Sequence, residues 1–162
     1  MTDKQVFKHL FRIAVNSKDP EGVVGACIVS SNKILVSSAS ADDGIRHAED
    51  LVIEKFKSLN VPITSEMVLY TTLEPCSYRD AKNKVLDCTS IVIDSGLKNV
   101  VYAAPDPEFS KEAKNRFLKA DFTYRMVDNK GITKTAIELF NSTIRIPLTS
   151  MNLPRKKKIP IY

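Results

Sequence analysis

The chain has no tryptophan, only two histidines and only three cysteines in 162 residues. The missing tryptophan, and a body without interleaved basic and aromatic residues, argue against a stacking platform for single-stranded nucleic acid. No apolar run approaches the roughly 20 residues needed to cross a bilayer. The start, Met1-Thr2-Asp3-Lys4, lacks the basic-then-apolar pattern of an export signal. Three cysteines without such a signal exclude a disulfide framework; they point to a reducing cytoplasm and to thiols kept for a metal. Internal repeats and low-complexity linkers are absent too.

What remains is an ordinary globular composition, 43% hydrophobic and 27% charged, enough for one domain with a real core. The domain is expected over residues 1–150, with a basic C-terminal tail at 151–162. Net charge is +5, and four of the positive charges are Arg155, Lys156, Lys157 and Lys158, so the body is near neutral. Two readings stay open for the tail: a solvated end, or a docking or nucleic-acid arm.

Periodicity supplies the elements. Val6, Phe7, Leu10, Phe11, Ala14 and Val15 recur at helical spacing. Val23–Val29 reads as a buried strand, Ser31-Asn32 as a turn, and Ile34–Ser38 as the hairpin partner. Ala39–Arg46 is small, polar and acidic, the composition of an active-site loop. A helix follows, its stripe formed by Ala48, Leu51, Val52, Phe56 and Leu59, with Asp42 or Asp43 capping its approach. Met67–Thr72, Val100–Ala104 and Phe122–Val127 read as strands. Cys88–Ser95, Ser110–Lys119 and about Thr133–Ser142 read as helices, the first ended by Gly96. Strands alternating with helices predict a three-layer α/β/α sandwich around a mixed central sheet.

Within this frame His47-Ala48-Glu49 is followed, after 28 residues, by Cys76 in Glu74-Pro75-Cys76-Ser77, and then by Cys88. Each has a plain structural reading alone: a helix-capping His, a solvated first-turn acid, small buried thiols. Together they offer one imidazole, two thiolates and a free carboxylate. Catalytic zinc takes three protein ligands and keeps a fourth position open for water. His47, Cys76 and Cys88 are the candidate ligands of one Zn2+ per chain, and Glu49 is the candidate proton shuttle. His-x-Glu followed by Pro-Cys is the signature of zinc nucleobase deaminases. The chemistry implied is hydrolysis of a C–NH2 group on an aromatic heterocycle. At the first turn of its helix His47 is expected to have a lowered pKa, and Cys88, at the start of another, a stabilised thiolate. Cys27, in Ala26-Cys27-Ile28-Val29, is expected to be inert core.

Four stretches carry a resemblance: Val24-Gly25-Ala26-Cys27-Ile28-Val29; His47-Ala48-Glu49; Thr71-Thr72-Leu73-Glu74-Pro75-Cys76-Ser77; and Ser95 through Pro107, ending Ala104-Pro105-Asp106-Pro107. They resemble the cytidine-deaminase-like superfamily, and within it the deaminase domain of the riboflavin-biosynthesis family, over about Val6–Pro147. The resemblance implies zinc on His47, Cys76 and Cys88, with Glu49 moving protons. It implies a small-molecule substrate, a diaminopyrimidinone ribose phosphate, deaminated on its ring. It also implies a homo-oligomer, and a separate reductase for the next step, since no reductase segment follows here. The family places eight residues between its cysteines and this chain eleven, Ser77–Asp87. On that loop Arg79, Lys82 and Lys84 read either as contacts to a substrate phosphate or as a solvated loop, and Tyr78 as a stacking ring or a cover for the loop's base. Two other functions compete: a nucleoside, RNA or DNA deaminase, for which the basic tail speaks, and a non-catalytic zinc-bound protein of the deaminase fold. Retention of Glu49 opposes the last.

Overall fold

A computed structural model describes residues 1–79 and 86–142. Helix α1 (Asp3–Ala14) opens with a capping box: Gln5 N–H donates to Thr2 Oγ1 and Thr2 N–H to Gln5 Oε1. It buries Val6, Phe7, Leu10, Phe11 and Ala14. Strands β1 (Gly25–Ser30) and β2 (Lys33–Ala39) form an antiparallel hairpin. Its turn residues, Ser31 and Asn32, both have positive φ (45° and 62°), which gives the twist that flanking strands require. Helix α2 (Ala48–Ser58) leads to β3 (Val68–Leu73), α3 (Cys88–Asp94), β4 (Asn99–Ala104), α4 (Ser110–Lys119), β5 (Thr123–Met126) and α5 (Lys130–Phe140).

The strand order is β2-β1-β3-β4-β5. β1 pairs antiparallel with β2 and β3, while β3, β4 and β5 run parallel, so the sheet is mixed as expected. One core packs α1 and α5 on one face (Phe7, Leu10, Ala136, Leu139); the other packs α2, α3 and α4 on the opposite face (Val52, Phe56, Val92, Phe117). This is the three-layer sandwich. Among the described residues no helix is long and apolar enough to cross a membrane. The basic tail lies outside the described residues.

Boundaries moved where side-chain bonds outrank periodicity. The last helix begins at Lys130 rather than Thr133, because Asn129 Oδ1 accepts Ile132 N–H at 3.1 Å and caps it. Gly96, at φ +88°, follows the C-cap of α3 and ends the helix as read. Gly25 has a different task. A Cβ there would lie 2.9 Å from the Leu10 carbonyl oxygen and 3.2 Å from Ala14 Cβ, so its bareness lets α1 lie close on β1. Gly25→Ala is expected to cost about 1–3 kcal/mol through overpacking, read as a drop in thermal midpoint with the far-ultraviolet circular dichroism unchanged.

The parallel strands β3 and β4 end together, Leu73 beside Ala104, and Glu74 N–H adds one more rung to Ala104 O at 2.8 Å. Open α/β sheets keep ligand sites at such carboxyl ends. The segment carrying Cys76 therefore leaves the sheet where a cleft is expected.

Candidate metal centre

His47 is the N-cap residue of α2. Its side chain makes no capping bond, which leaves the imidazole free for other contacts. Asp43 does hold the approach, accepting Ile45 and Arg46 N–H at 2.8 and 3.1 Å, while Asp42 is taken by Lys18 N–H. Cys76 follows β3, and Cys88 opens α3 behind its cap, Asp87. Thr89 sews the two cysteine segments together: its N–H donates to Cys76 O at 2.9 Å, and its hydroxyl lies 3.1 Å from Pro75 O and 3.0 Å from Cys76 O.

His47 Nδ1 lies 3.6 Å from Cys76 Sγ and 3.3 Å from Cys88 Sγ, and the three ligand atoms all fall within 4.8 Å of one another. Tetrahedral zinc at ordinary Zn–S and Zn–N lengths needs ligand atoms roughly 3.5–3.8 Å apart. The donor set and spacing thus fit the metal. Glu49, 3% exposed in the first turn of α2, places Oε2 3.5 Å from Cys88 Sγ. Its Oε1 lies 3.0 Å from Thr71 Oγ1, which is also 2.8 Å from Leu73 O. One hydroxyl proton cannot serve both oxygens. Thr71 either donates to a Glu49 carboxylate, or donates to Leu73 O and accepts from a protonated Glu49. The site accommodates both states of the carboxyl.

Electrostatics correct two expectations. Burial pushes His47 down, but the hydrogen bond and charge of Cys76, with Glu49 adding, reverse this and hold it above its ordinary value. The helix terminus is overruled by a neighbouring thiolate. For the cysteine pair, burial and the Cys76 anion push Cys88 well above the usual thiol range, while the hydrogen bond from Cys88 brings Cys76 below it. The thiolate favoured in this arrangement is therefore Cys76, not the residue at the helix N-terminus. Burial pushes the Glu49 carboxyl up, as a proton shuttle requires. Cys27 is fully buried in β1, its thiol raised to about 12 by burial, in line with inert core.

His47, Glu49 and Cys76 open on a cavity of about 480 Å³, within the range for small-molecule sites. Its wall includes Ser40, Gly44 and Ile45 of the Ala39–Arg46 loop. Tyr78 packs on Phe109, ring centroids 5.4 Å apart, at its rim. Arg79 Nη2 donates to Cys88 Sγ at 3.4 Å. Lys82 and Lys84 lie outside the described residues.

Thr71, Asp19 and Arg116 were not singled out by spacing, and the fold alone brings them in. Arg116, from α4, donates to Ser77 O (3.2 Å), Asp87 Oδ1 (3.0 Å) and Ser90 Oγ (2.6 Å), joining both ends of the inter-cysteine segment. Arg116→Ala is expected to cost about 1.5–3 kcal/mol, the scale for hydrogen bonds to charged groups, measured by urea denaturation.

The chain has recognisable relatives. Residues 1–104 match the family described as the cytidine and deoxycytidylate deaminase zinc-binding region. The riboflavin biosynthesis protein RibD of Bacillus amyloliquefaciens is 34% identical over 98 residues, 60% of this chain and 24% of that one. The diaminohydroxyphosphoribosylamino-pyrimidine deaminase of Buchnera aphidicola is 30% identical over 102 residues, 60% of this chain and 62% of that one. The chain thus spans about a quarter of the bacterial RibD proteins it matches. Among solved structures, the deaminase/reductase of Thermotoga maritima superposes with a TM-score of 0.69 at 22% identity, covering 88% of this chain and 41% of that one. The dCMP deaminase of cyanophage S-TIM5 superposes with a TM-score of 0.55 at 18% identity, covering 76% and 93%. Those likenesses carry the fold, and the sequence match carries the family: the chain belongs to the cytidine and deoxycytidylate deaminase zinc-binding family.

Proposed function

We propose that this chain is a hydrolytic deaminase holding one zinc on His47, Cys76 and Cys88, and that it acts on an aminopyrimidine ribose phosphate, the deaminase step of riboflavin biosynthesis. The carrying observation is the meeting of those three ligand atoms with the Glu49 carboxyl, with His47, Cys76 and Glu49 on the wall of one cavity. When bound, the metal supplies a water acidic enough to ionise near neutral pH. The protein's part is proton traffic. At the carboxyl that Thr71 steadies, Glu49 takes a proton from the attacking water and delivers it to the ring nitrogen, then takes the proton of the hydroxyl on the tetrahedral carbon and delivers it to the departing ammonia as the ring carbonyl forms. Its raised pKa suits the acid half of that cycle, and its burial excludes competing water. Tyr78 and Phe109 offer flat apolar surface to the ring.

The substrate class rests on the sequence relatives and on Arg79. Arg79 brings a guanidinium, a group suited to a phosphate, to the cavity wall. The wall's carboxyl residues are Asp19, Glu21, Glu49, Glu74, Asp106 and Glu108. A polyanionic strand would be repelled there, which disfavours the nucleic-acid reading.

The test is ammonia release by the zinc-quantified chain, given the diaminopyrimidinone ribose phosphate and dCMP in parallel. Release from the first alone is expected. Release from dCMP alone moves the assignment to nucleotide deamination, and silence with both from a zinc-loaded chain rejects it.

A further inference from the structure

Glu74 belongs to the Glu74-Pro75-Cys76-Ser77 stretch, yet neither the metal ligands nor the proton path uses it. It is 1% exposed and stands on the cavity wall, one residue past the end of β3. Its Oε1 accepts from the Tyr124 hydroxyl of β5, and its Oε2 accepts Asp106 N–H at 2.9 Å. Among the described residues no ion pair includes Glu74. Burying a carboxyl away from water without a cation is costly, and its hydrogen bonds must offset that cost. Tyr124 mounts the carboxyl rigidly, since its ring stacks on both Tyr102 and Phe117, centroids 4.9 and 4.7 Å away.

The bond to Asp106 begins a circuit. Pro105, next after the last residue of β4, has no N–H, so Asp106 N–H is the first donor past the strand. Asp106 Oδ1 in turn accepts Glu108 N–H and Phe109 N–H, each at 2.8 Å. Phe109 O, at the start of α4, accepts the Ser77 hydroxyl at 3.2 Å. Ser77 directly follows Cys76. The circuit therefore leaves the cysteine segment at Glu74 and returns to it at Ser77, and every residue from Asp106 to Phe109 lies on the cavity wall.

We infer that Glu74 is a positioning residue for substrate binding: it hangs the Asp106–Phe109 wall beside Cys76 and so sets the affinity for the substrate, not the rate of the chemical step. A wall in place for part of the time lowers apparent affinity by that fraction, while saturating substrate selects the ordered form. Loss of Glu74 therefore acts on KM and spares kcat. Cys76 keeps a tether of its own, Thr89 N–H to its carbonyl at 2.9 Å, so the metal should stay. This rests on the deaminase reading of the cavity.

The experiment compares the zinc-loaded full-length chain with Glu74→Ala, Glu74→Gln and Asp106→Ala. It reads ammonia release from the diaminopyrimidinone ribose phosphate, zinc content, and amide hydrogen exchange by NMR. Glu74→Ala is expected to raise KM about tenfold or more with kcat within about threefold of the parent. Exchange should quicken at Asp106, Glu108 and Phe109, while Val100 and Val101 in the core of β4 stay protected. Glu74→Gln keeps an oxygen for Asp106 N–H, and its amide can donate to the Tyr124 oxygen, so it should recover most of both KM and protection. Asp106→Ala cuts the next link. It should free the Glu108 and Phe109 amides and leave the amide of residue 106, still held by Glu74, protected; this holds the test open if Glu74→Ala folds poorly. An unchanged KM in Glu74→Ala, a fall in kcat with KM kept, loss of zinc, or quickened exchange at Asp106 alone overturns the positioning role. So does a Glu74→Gln chain as impaired as Glu74→Ala. A zinc-loaded parent that releases no ammonia fails the deaminase reading instead, and the exchange pattern still decides whether Glu74 holds the wall.

Discussion

Glu49→Gln is expected to leave zinc content intact and to reduce ammonia release by about 10²–10⁴-fold, the contribution of a positioned general acid–base group. Glutamine has the same shape and still accepts from the Thr71 hydroxyl, 3.0 Å from Oε1, but it carries no proton. The ligands His47, Cys76 and Cys88 are untouched. Stability gives an independent check. Burial raises the Glu49 pKa, so the folded chain holds that proton more tightly than the unfolded chain does. For a group shifted upward, stability is full below the unfolded pKa and falls as pH rises through the folded one. The neutral amide escapes that penalty, so the metal-free variant should melt no lower than the metal-free parent near neutral pH. Full turnover in a zinc-loaded Glu49→Gln chain would remove Glu49 from the proton path.

Much of this was legible along the chain because it is local. His47 and Glu49 sit two residues apart across one helix start, and strand and helix periods place the hairpin, the sheet and Gly96. The meeting of Cys76 and Cys88 is not local, yet their order was informative: one follows a strand, the other opens the next helix, and the parallel β3–β4 pairing puts both at one sheet edge. What spacing alone did not show is what the third dimension adds. Arg116 reaches Ser77 from 39 residues away, and Asp19 enters the cavity wall from the loop between α1 and β1. Nothing in their neighbourhoods along the sequence marks either. The reversed expectations for His47 and Cys88 have the same origin. A helix terminus acts as a partial charge, and a thiolate in contact or complete burial outweighs it.

Cys88→Ala should be the most damaging single change at the site. Cys88 is fully buried, and its Sγ lies within 3.3–3.5 Å of His47 Nδ1, Arg79 Nη2 and Glu49 Oε2. Alanine removes one of three proposed ligands and also leaves the Arg79 donor and the imidazole without that acceptor. Zinc affinity is expected to fall by more than the roughly 10–100-fold typical of losing an outer partner. A metal that binds only the folded chain raises its stability by mass action. Zinc should therefore raise the thermal midpoint of the parent in a concentration-dependent way and leave that of Cys88→Ala nearly unmoved. Cys27→Ala is the matched control: it deletes an equally buried thiol, in β1 and away from the cavity wall, and should destabilise both forms while preserving the zinc-induced shift. If Cys88→Ala retains the full shift, Cys88 is not a ligand, and the eleven-residue segment between the cysteines must supply another donor.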